Sequence, residues 1–142
     1  MDTVDNAFLD FVTELQKLPA ETEWIEFKKD NSSPDEIAEY LSALANSATL
    51  HQRDESYLIF GIDDKSHEVI GTKFNPYTKK GKGAEDLIPW LHRSLNHISF
   101  TFKEFNHPKG KLVIFFISPS SLGPVKFKNK AWIRVGLSLI HI

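Results

Sequence analysis

The stretch Glu21-Thr-Glu-Trp-Ile-Glu-Phe-Lys28 sets three carboxylates and a lysine among residues that otherwise belong in a buried strand. Alternate side chains of a strand point to opposite faces, so Trp24, Glu26 and Lys28 share one face and Glu23, Ile25 and Phe27 the other. Charges on so apolar a strand sit at an edge, pair with another group or hold an ion, because burying them alone costs too much. A second acidic cluster, Asp63-Asp64, follows the apolar run Tyr57-Leu-Ile-Phe-Gly-Ile62. The expectation drawn from this pattern is that the two strands are neighbours and their carboxylates meet.

Working outward toward the N-terminus, Phe8, Phe11, Val12 and Leu15 recur at helical spacing, which predicts an amphipathic helix over 5–17, with Pro19 closing it. On the other side, Lys29-Asp-Asn-Ser-Ser33 is a polar break. Ser33-Pro34-Asp35-Glu36 then supplies an N-cap serine, a proline at the first helical position and a glutamate at the third. Ile37, Tyr40, Leu41, Leu44 and Ala45 form the apolar face of that helix, predicted to end near Ser47, with a polar loop over 49–55.

Tyr57–Ile62 is apolar on both faces and reads as an interior strand. Asp63–Ser66 is a turn, and 68–72 is the expected second arm of a hairpin. A lysine- and glycine-rich loop over 75–83 leads to a helix predicted at 84–95, whose opening acids Glu85 and Asp86 suit the helix dipole. Strands follow at 97–105 and 112–117, and a closing hairpin joins 124–127 to 131–135 around Lys128-Asn129-Lys130. This order predicts an α/β (α+β) fold, a mixed sheet flanked by helices. The last residues, Leu137-Ser-Leu-Ile-His-Ile142, read as a translated sequencing adapter. The expected organisation is therefore one domain over 1–136 and a non-native tail over 137–142, with a longer parent protein.

At 142 residues the chain is long enough to bury a core without a covalent staple. It has no cysteine, which excludes disulfides, thiolate zinc sites and a thiol nucleophile. The acidic opening lacks the layout of a secretory signal, and no apolar run approaches the ~20 residues needed to cross a bilayer. A cytoplasmic protein without a membrane partner is expected. The net charge of −2 conceals a split: residues 1–71 hold 16 Asp/Glu against 5 Lys/Arg, and residues 72–142 hold 12 Lys/Arg against 3 Asp/Glu. An acidic site beside a basic surface, acting on a polyanion, fits that split; so do lysines that only solvate loops.

Four blocks carry a family likeness: Glu21–Lys28; Ile37 through Leu44-Ala-Asn46; Phe60-Gly-Ile-Asp-Asp64 with Val69-Ile-Gly71; and Ile133-Arg-Val-Gly136. In order and spacing they resemble the Schlafen AlbA-type domain, described as DNA-binding. Ser42-Ala-Leu-Ala-Asn-Ser-Ala48, Gly71-Thr-Lys-Phe74 and Pro124-Val-Lys-Phe127 are similar to a microbial branch, where the domain heads longer proteins described as ATP-binding or as transcriptional regulators. The resemblance spans about residues 20 to 136. In the nuclease branch of the family it implies that three carboxylates bind divalent metal and cut structured RNA such as tRNA. By position these fall on Glu21, Glu26 and Asp64, with Lys28 as the lysine beside the second acid. Many relatives carry a Gly-Gly turn after the asparagine matching Asn46, where this chain has the longer polar stretch Ser47–Ser56.

The chemistry is weighed residue by residue. Mg2+ or Mn2+ takes hard oxygen ligands, and such an ion would activate water and neutralise charge on a phosphate, with Lys28 assisting. Parity works against the trio, since Glu21 and Glu26 face opposite ways on a regular strand and converge only where Pro19–Thr22 is irregular. The plainer reading is that Glu21 and Glu23 are solvated edge charges and Glu26 pairs with Lys28 or Arg134, while Asp63-Asp64 is ordinary turn chemistry. The six histidines show no ligand spacing. No Gly-x-x-x-x-Gly-Lys-Ser/Thr motif exists, so no ATP site is expected.

Phosphate contacts are expected from Lys79, Lys80 and Lys82 in one loop and from Lys126, Lys128, Lys130 and Arg134 on the terminal hairpin, where the alternation of the three lysines predicts one basic face. Trp132 stacks on a base or joins the core. The expected function is nucleic-acid binding, RNA ahead of DNA, with metal-dependent endoribonuclease activity through Glu21, Glu26 and Asp64. The alternatives are a non-catalytic DNA-binding regulatory module, or a structural domain that forms homo-oligomers.

Overall fold

The computed structural model describes residues 3–30 and 32–142. Three helices, α1 (Thr3–Gln16), α2 (Pro34–Leu50) and α3 (Leu87–Ser94), accompany seven strands. The strands are β1 (Ile25–Lys28), β2 (Ser56–Phe60), β3 (Phe100–His107), β4 (Gly110–Ile117), β5 (Lys126–Phe127), β6 (Lys130–Val135) and β7 (Ser138–His141). The main sheet has the order β1-β2-β4-β3 and a second sheet the order β5-β6-β7. β1 lies parallel to β2, and the pairs β2/β4 and β3/β4 are antiparallel. The fold is thus mixed α+β, as the sequence predicts.

Side-chain alternation divides the main sheet into two packed faces. Leu58, Phe60, Val113 and Phe115 point to α2, α3 and the β5–β6 hairpin. Ile25, Phe27, Tyr57, Ile59 and Ile114 point to α1 through Val12 and Leu15. β2 is buried throughout, which accounts for its lack of any polar alternation. On β1 the buried residues alternate with half-exposed ones. Glu26 and Lys28 therefore stand on the α2 side of an edge strand.

α2 begins as expected, with the Ser33 side chain accepting from the Glu36 N–H at 3.1 Å and Pro34 at the first helical position. It runs past Ser47 to Leu50, because Ser47 and Ala48 remain on the buried side. α3 starts three residues later than its pattern suggests. Pro89 lacks an N–H and is accommodated only in a first turn, so the helix opens at Leu87. Asp86 stands at the N-cap without a side-chain cap bond; its carboxylate is held by Lys80 at 2.6 Å.

The second arm expected over 68–72 is reduced to a single bridge between Ile62 and Val69. The segment then crosses the β3–β4 turn, where a Cβ on Gly110 would lie 2.6 Å from the Gly71 Cα. Only two glycines, both at positive φ, permit that backbone approach. Residues 137–142 include β7, paired to β6. No helix among the described residues is long and apolar enough to cross a membrane.

Candidate nucleic-acid interface and the acidic cleft

A cleft of about 530 Å³ opens beside β1, lined among others by Glu26, Lys28, Tyr40, Asp64, His67 and Arg134. Asp64 reaches it from a turn built on its neighbour. Asp63 Oδ1 accepts from the N–H groups of Lys65 (2.8 Å) and Ser66 (3.0 Å). His67 ties that turn to α1, its Nδ1 donating to the Gln16 carbonyl (3.1 Å) while Gln16 Nε2 donates to the His67 carbonyl (2.8 Å). Two sequence-distant acids, Glu26 and Asp64, thus line one cleft. Glu21 does not. It is exposed in the turn closed by the Thr22 N–H on the Pro19 carbonyl, which also shortens β1 to begin at Ile25.

Within the cleft Glu26 is already paired. Arg134 Nη1 donates to its Oε1 at 2.5 Å, and Lys28 Nζ stands 3.9 Å from Oε2. Desolvation raises the Glu26 carboxyl above the ordinary glutamate range; Arg134 and Lys28 oppose that shift, and Asp64 and Glu36 add to it. Lys28 is shared with Glu36 at 3.7 Å and lies 4.3 Å from the centre of the Tyr40 ring.

Arg134 departs from its expected role in phosphate binding. It is 2% exposed, and its guanidinium also donates to the carbonyls of Ile25 (3.0 Å) and Gly136 (2.8 Å). Such a side chain is a clamp between β6 and β1 and presents nothing to solvent. Glu23 reinforces the clamp, accepting from the Gly136 N–H at 2.7 Å and from His51 Nε2 at 2.8 Å. Those two bonds hold its carboxyl below the usual range. His51 is the C-cap residue of α2.

A divalent ion would need several free oxygen ligands in this cleft. Glu26 is held by two cations, Glu21 lies outside the cleft, and no group of three His, Cys, Asp or Glu among the described residues is placed to hold a metal. Mg2+ and Mn2+ require more free oxygen ligands than Asp64 alone supplies. These residues do not fit the ion in this arrangement.

The lysines form a second region. Lys128 and Asn129 both have positive φ and make a two-residue turn of type I′. The resulting register sets Lys126 opposite Ala131 and Phe127 opposite Lys130. Cross-strand partners share a face, so Lys126 and Lys130 leave opposite faces of the hairpin, in place of the single basic face expected from parity. Ser42 and Asn46, one helical turn apart on α2, strap this hairpin down. Ser42 Oγ donates to the Val125 carbonyl at 2.8 Å, and Asn46 bonds Val125 N–H (2.8 Å) and the Trp132 carbonyl (2.8 Å). Trp132 itself packs against the core.

Asp35, in the first turn of α2, receives Lys128 at 2.9 Å and Lys82 at 3.0 Å. Burial works to raise its carboxyl, but the two lysines prevail and hold it below the usual aspartate range. One acid therefore joins the two basic segments, the 79–82 loop and the hairpin, into one rim around the start of α2. Lys79, Lys126 and Lys130 make no ion pair among the described residues. Asp35, Ser42 and Asn46 were not singled out from the sequence. The available signal for Ser42 and Asn46 was two polar residues at i and i+4 on an otherwise buried helix face; for Asp35 there was none beyond capping.

Residues 21–142 match the family model described as Schlafen, AlbA_2. No curated protein matches the chain. Among solved structures, the DIP2311 protein from Corynebacterium diphtheriae superposes with a TM-score of 0.61 at 15% identity. The match covers 99% of this chain and 27% of that one, so the chain spans about a quarter of the length of that structure.

Proposed function

The chain belongs to the Schlafen AlbA_2 family, a family of nucleic-acid-binding domains, and from that premise we propose that it binds nucleic acid through the lysine rim, without need of cleavage. The observation that carries this reading is the convergence of Lys82 and Lys128 on Asp35. It joins the loop that carries the half-buried Lys79 to the hairpin that carries the exposed Lys130, and neither of these two makes an ion pair among the described residues. Lysines arranged this way contact phosphates and carry little sequence preference. RNA stands ahead of DNA as the first ligand to test.

A salt titration of affinity for a mixed-sequence RNA oligonucleotide tests the proposal. Log affinity falls linearly with log salt when phosphates displace counterions. A steep line is expected, and a flat one would dismiss nucleic acid.

Cleavage with Mg2+ or Mn2+ is the second reading, favoured by one observation, the presence of Glu26 and Asp64 in the same cleft. The clean probe is Asp64→Asn rather than a change at Glu26, whose removal would also open the Arg134 clamp. Metal-dependent cleavage of an RNA pool by the wild type, lost in Asp64→Asn, would restore the catalytic reading.

A further inference from the structure

Resting on the nucleic-acid reading, we infer that the loop over residues 72–79 is a stacking site for unpaired bases, with Tyr77 as the platform and Lys73 and Lys79 as the phosphate contacts. Tyr77 is 64% exposed, an unusual position for a large aromatic ring in a loop already rich in lysine. Its ring is steadied on one side by Phe102, at 5.2 Å between centroids and 58° between planes. Beside it, Asp30, Lys73, Phe74, Asn75, Thr78 and Lys79 line a polar cavity of about 380 Å³. Neither lysine makes an ion pair among the described residues.

The loop is held before any ligand arrives. Asn75 Oδ1 accepts from the Tyr77 N–H at 2.9 Å, and its carbonyl accepts from the Lys79 N–H at 3.1 Å. Asp30 anchors the entry, its Oδ1 accepting from Thr72 Oγ1 at 3.0 Å and from the Lys73 N–H at 3.2 Å. That engagement commits one oxygen of the Asp30 carboxylate to the Thr72 hydroxyl and the Lys73 N–H of the loop. At the exit the Lys79 carbonyl accepts from the Leu87 N–H at 2.9 Å. A ring fixed on a rigid loop loses little conformational freedom when a base stacks on it.

A duplex keeps its base faces covered, whereas a single strand offers them, and base–aromatic stacking tolerates any sequence. Lys79 belongs both to this loop and to the rim around α2, so a strand bound along the rim has its next base within reach of Tyr77. The inference therefore specifies the ligand as single-stranded or looped nucleic acid.

The test compares one fluorescently labelled single-stranded RNA with its duplex, by anisotropy at fixed salt. The proteins are the wild type, Tyr77→Ala, Tyr77→Phe and the double variant Lys128→Ala/Lys130→Ala. Tyr77→Ala is expected to weaken single-strand binding by on the order of tenfold and leave the duplex unchanged. Tyr77→Phe, which keeps the ring, is expected to bind as the wild type does. The lysine double variant should weaken both forms. Equal single-strand affinity for wild type and Tyr77→Ala would overturn the stacking site, and if the lysine variant still weakened binding, the broader reading would survive it. Absence of binding by the wild type would overturn both.

Discussion

Glu26 and Lys79 lie in regions that treat charge in opposite ways. Around Glu26 the carboxylate faces Arg134 and Lys28, Lys28 is shared with Glu36, and the Nη1 and Nη2 atoms of Arg134 also donate to backbone carbonyls. Around Lys79 the charges are spread over a loop and a hairpin tip, with Asp35 serving two lysines and others left to solvent. The first arrangement fixes geometry; the second leaves potential for a partner. A charged residue in a cleft is therefore not the better functional candidate here.

That contrast predicts its largest effect at Arg134. Arg134→Ala leaves the half-buried Glu26 carboxylate with only the more distant Lys28 and two carbonyls without their donor, a change that costs about 3–5 kcal/mol in buried pairs and lowers the melting temperature by roughly 10 °C for a chain of this size. Urea or thermal denaturation measures it. Lys79→Ala, by comparison, should stay within about 0.5 kcal/mol of wild type. A variant at Arg134 that melts with the wild type would erase the distinction between the regions.

An intermediate effect is expected at Asn46, which belongs to neither region but fixes the hairpin that carries Lys128 and Lys130. Asn46→Ala orphans the Val125 N–H and should cost about 1–3 kcal/mol. It should also reduce affinity for nucleic acid at salt concentrations where the protein stays folded. Full affinity in that variant would show that the hairpin needs no strap to present its lysines.

The smallest effects belong to Asp35. Asp35→Asn frees Lys82 and Lys128 and should tighten RNA binding several-fold, with a steeper salt dependence, for a stability loss of about 0.2–1 kcal/mol. Because its carboxyl lies below the ordinary aspartate range when folded, its stabilising contribution is complete above that range and disappears as pH falls through the folded value. The melting-temperature gap between wild type and Asp35→Asn should thus close below about pH 4. A gap that persisted in acid would mean that Asp35 acts through contacts independent of its charge rather than through the lysines.

Local chemistry was legible in the sequence and long-range pairing was not. Ser33-Pro34-Asp35-Glu36 announced the start of α2 because capping involves neighbours. Alternation on β1 correctly put Glu26 and Lys28 on one face, and Arg134 was named as one partner for Glu26. The end of β1 was misjudged because nothing in Glu21–Trp24 opposes a strand except the turn that Pro19 initiates. The hairpin's single lysine face failed on one residue: a two-residue turn at Lys128-Asn129, where three had been allowed, flips the parity of everything after it. The meeting of Lys82 and Lys128 at Asp35 spans loops in different parts of the chain, and no local pattern encodes it. Tyr77 passed as a loop residue because exposure is not a property that composition reveals.

The most direct test of the rim is a paired salt titration of the wild type and Lys79→Ala/Lys128→Ala/Lys130→Ala, with melting temperatures recorded for both. The account predicts melting within a few degrees of the wild type, since Lys128 loses only its exposed pair with Asp35, and a line of log affinity against log salt that is shallower by about 0.7 for each lysine removed on a single strand. Superimposable lines would contradict it and move the binding surface elsewhere on the fold.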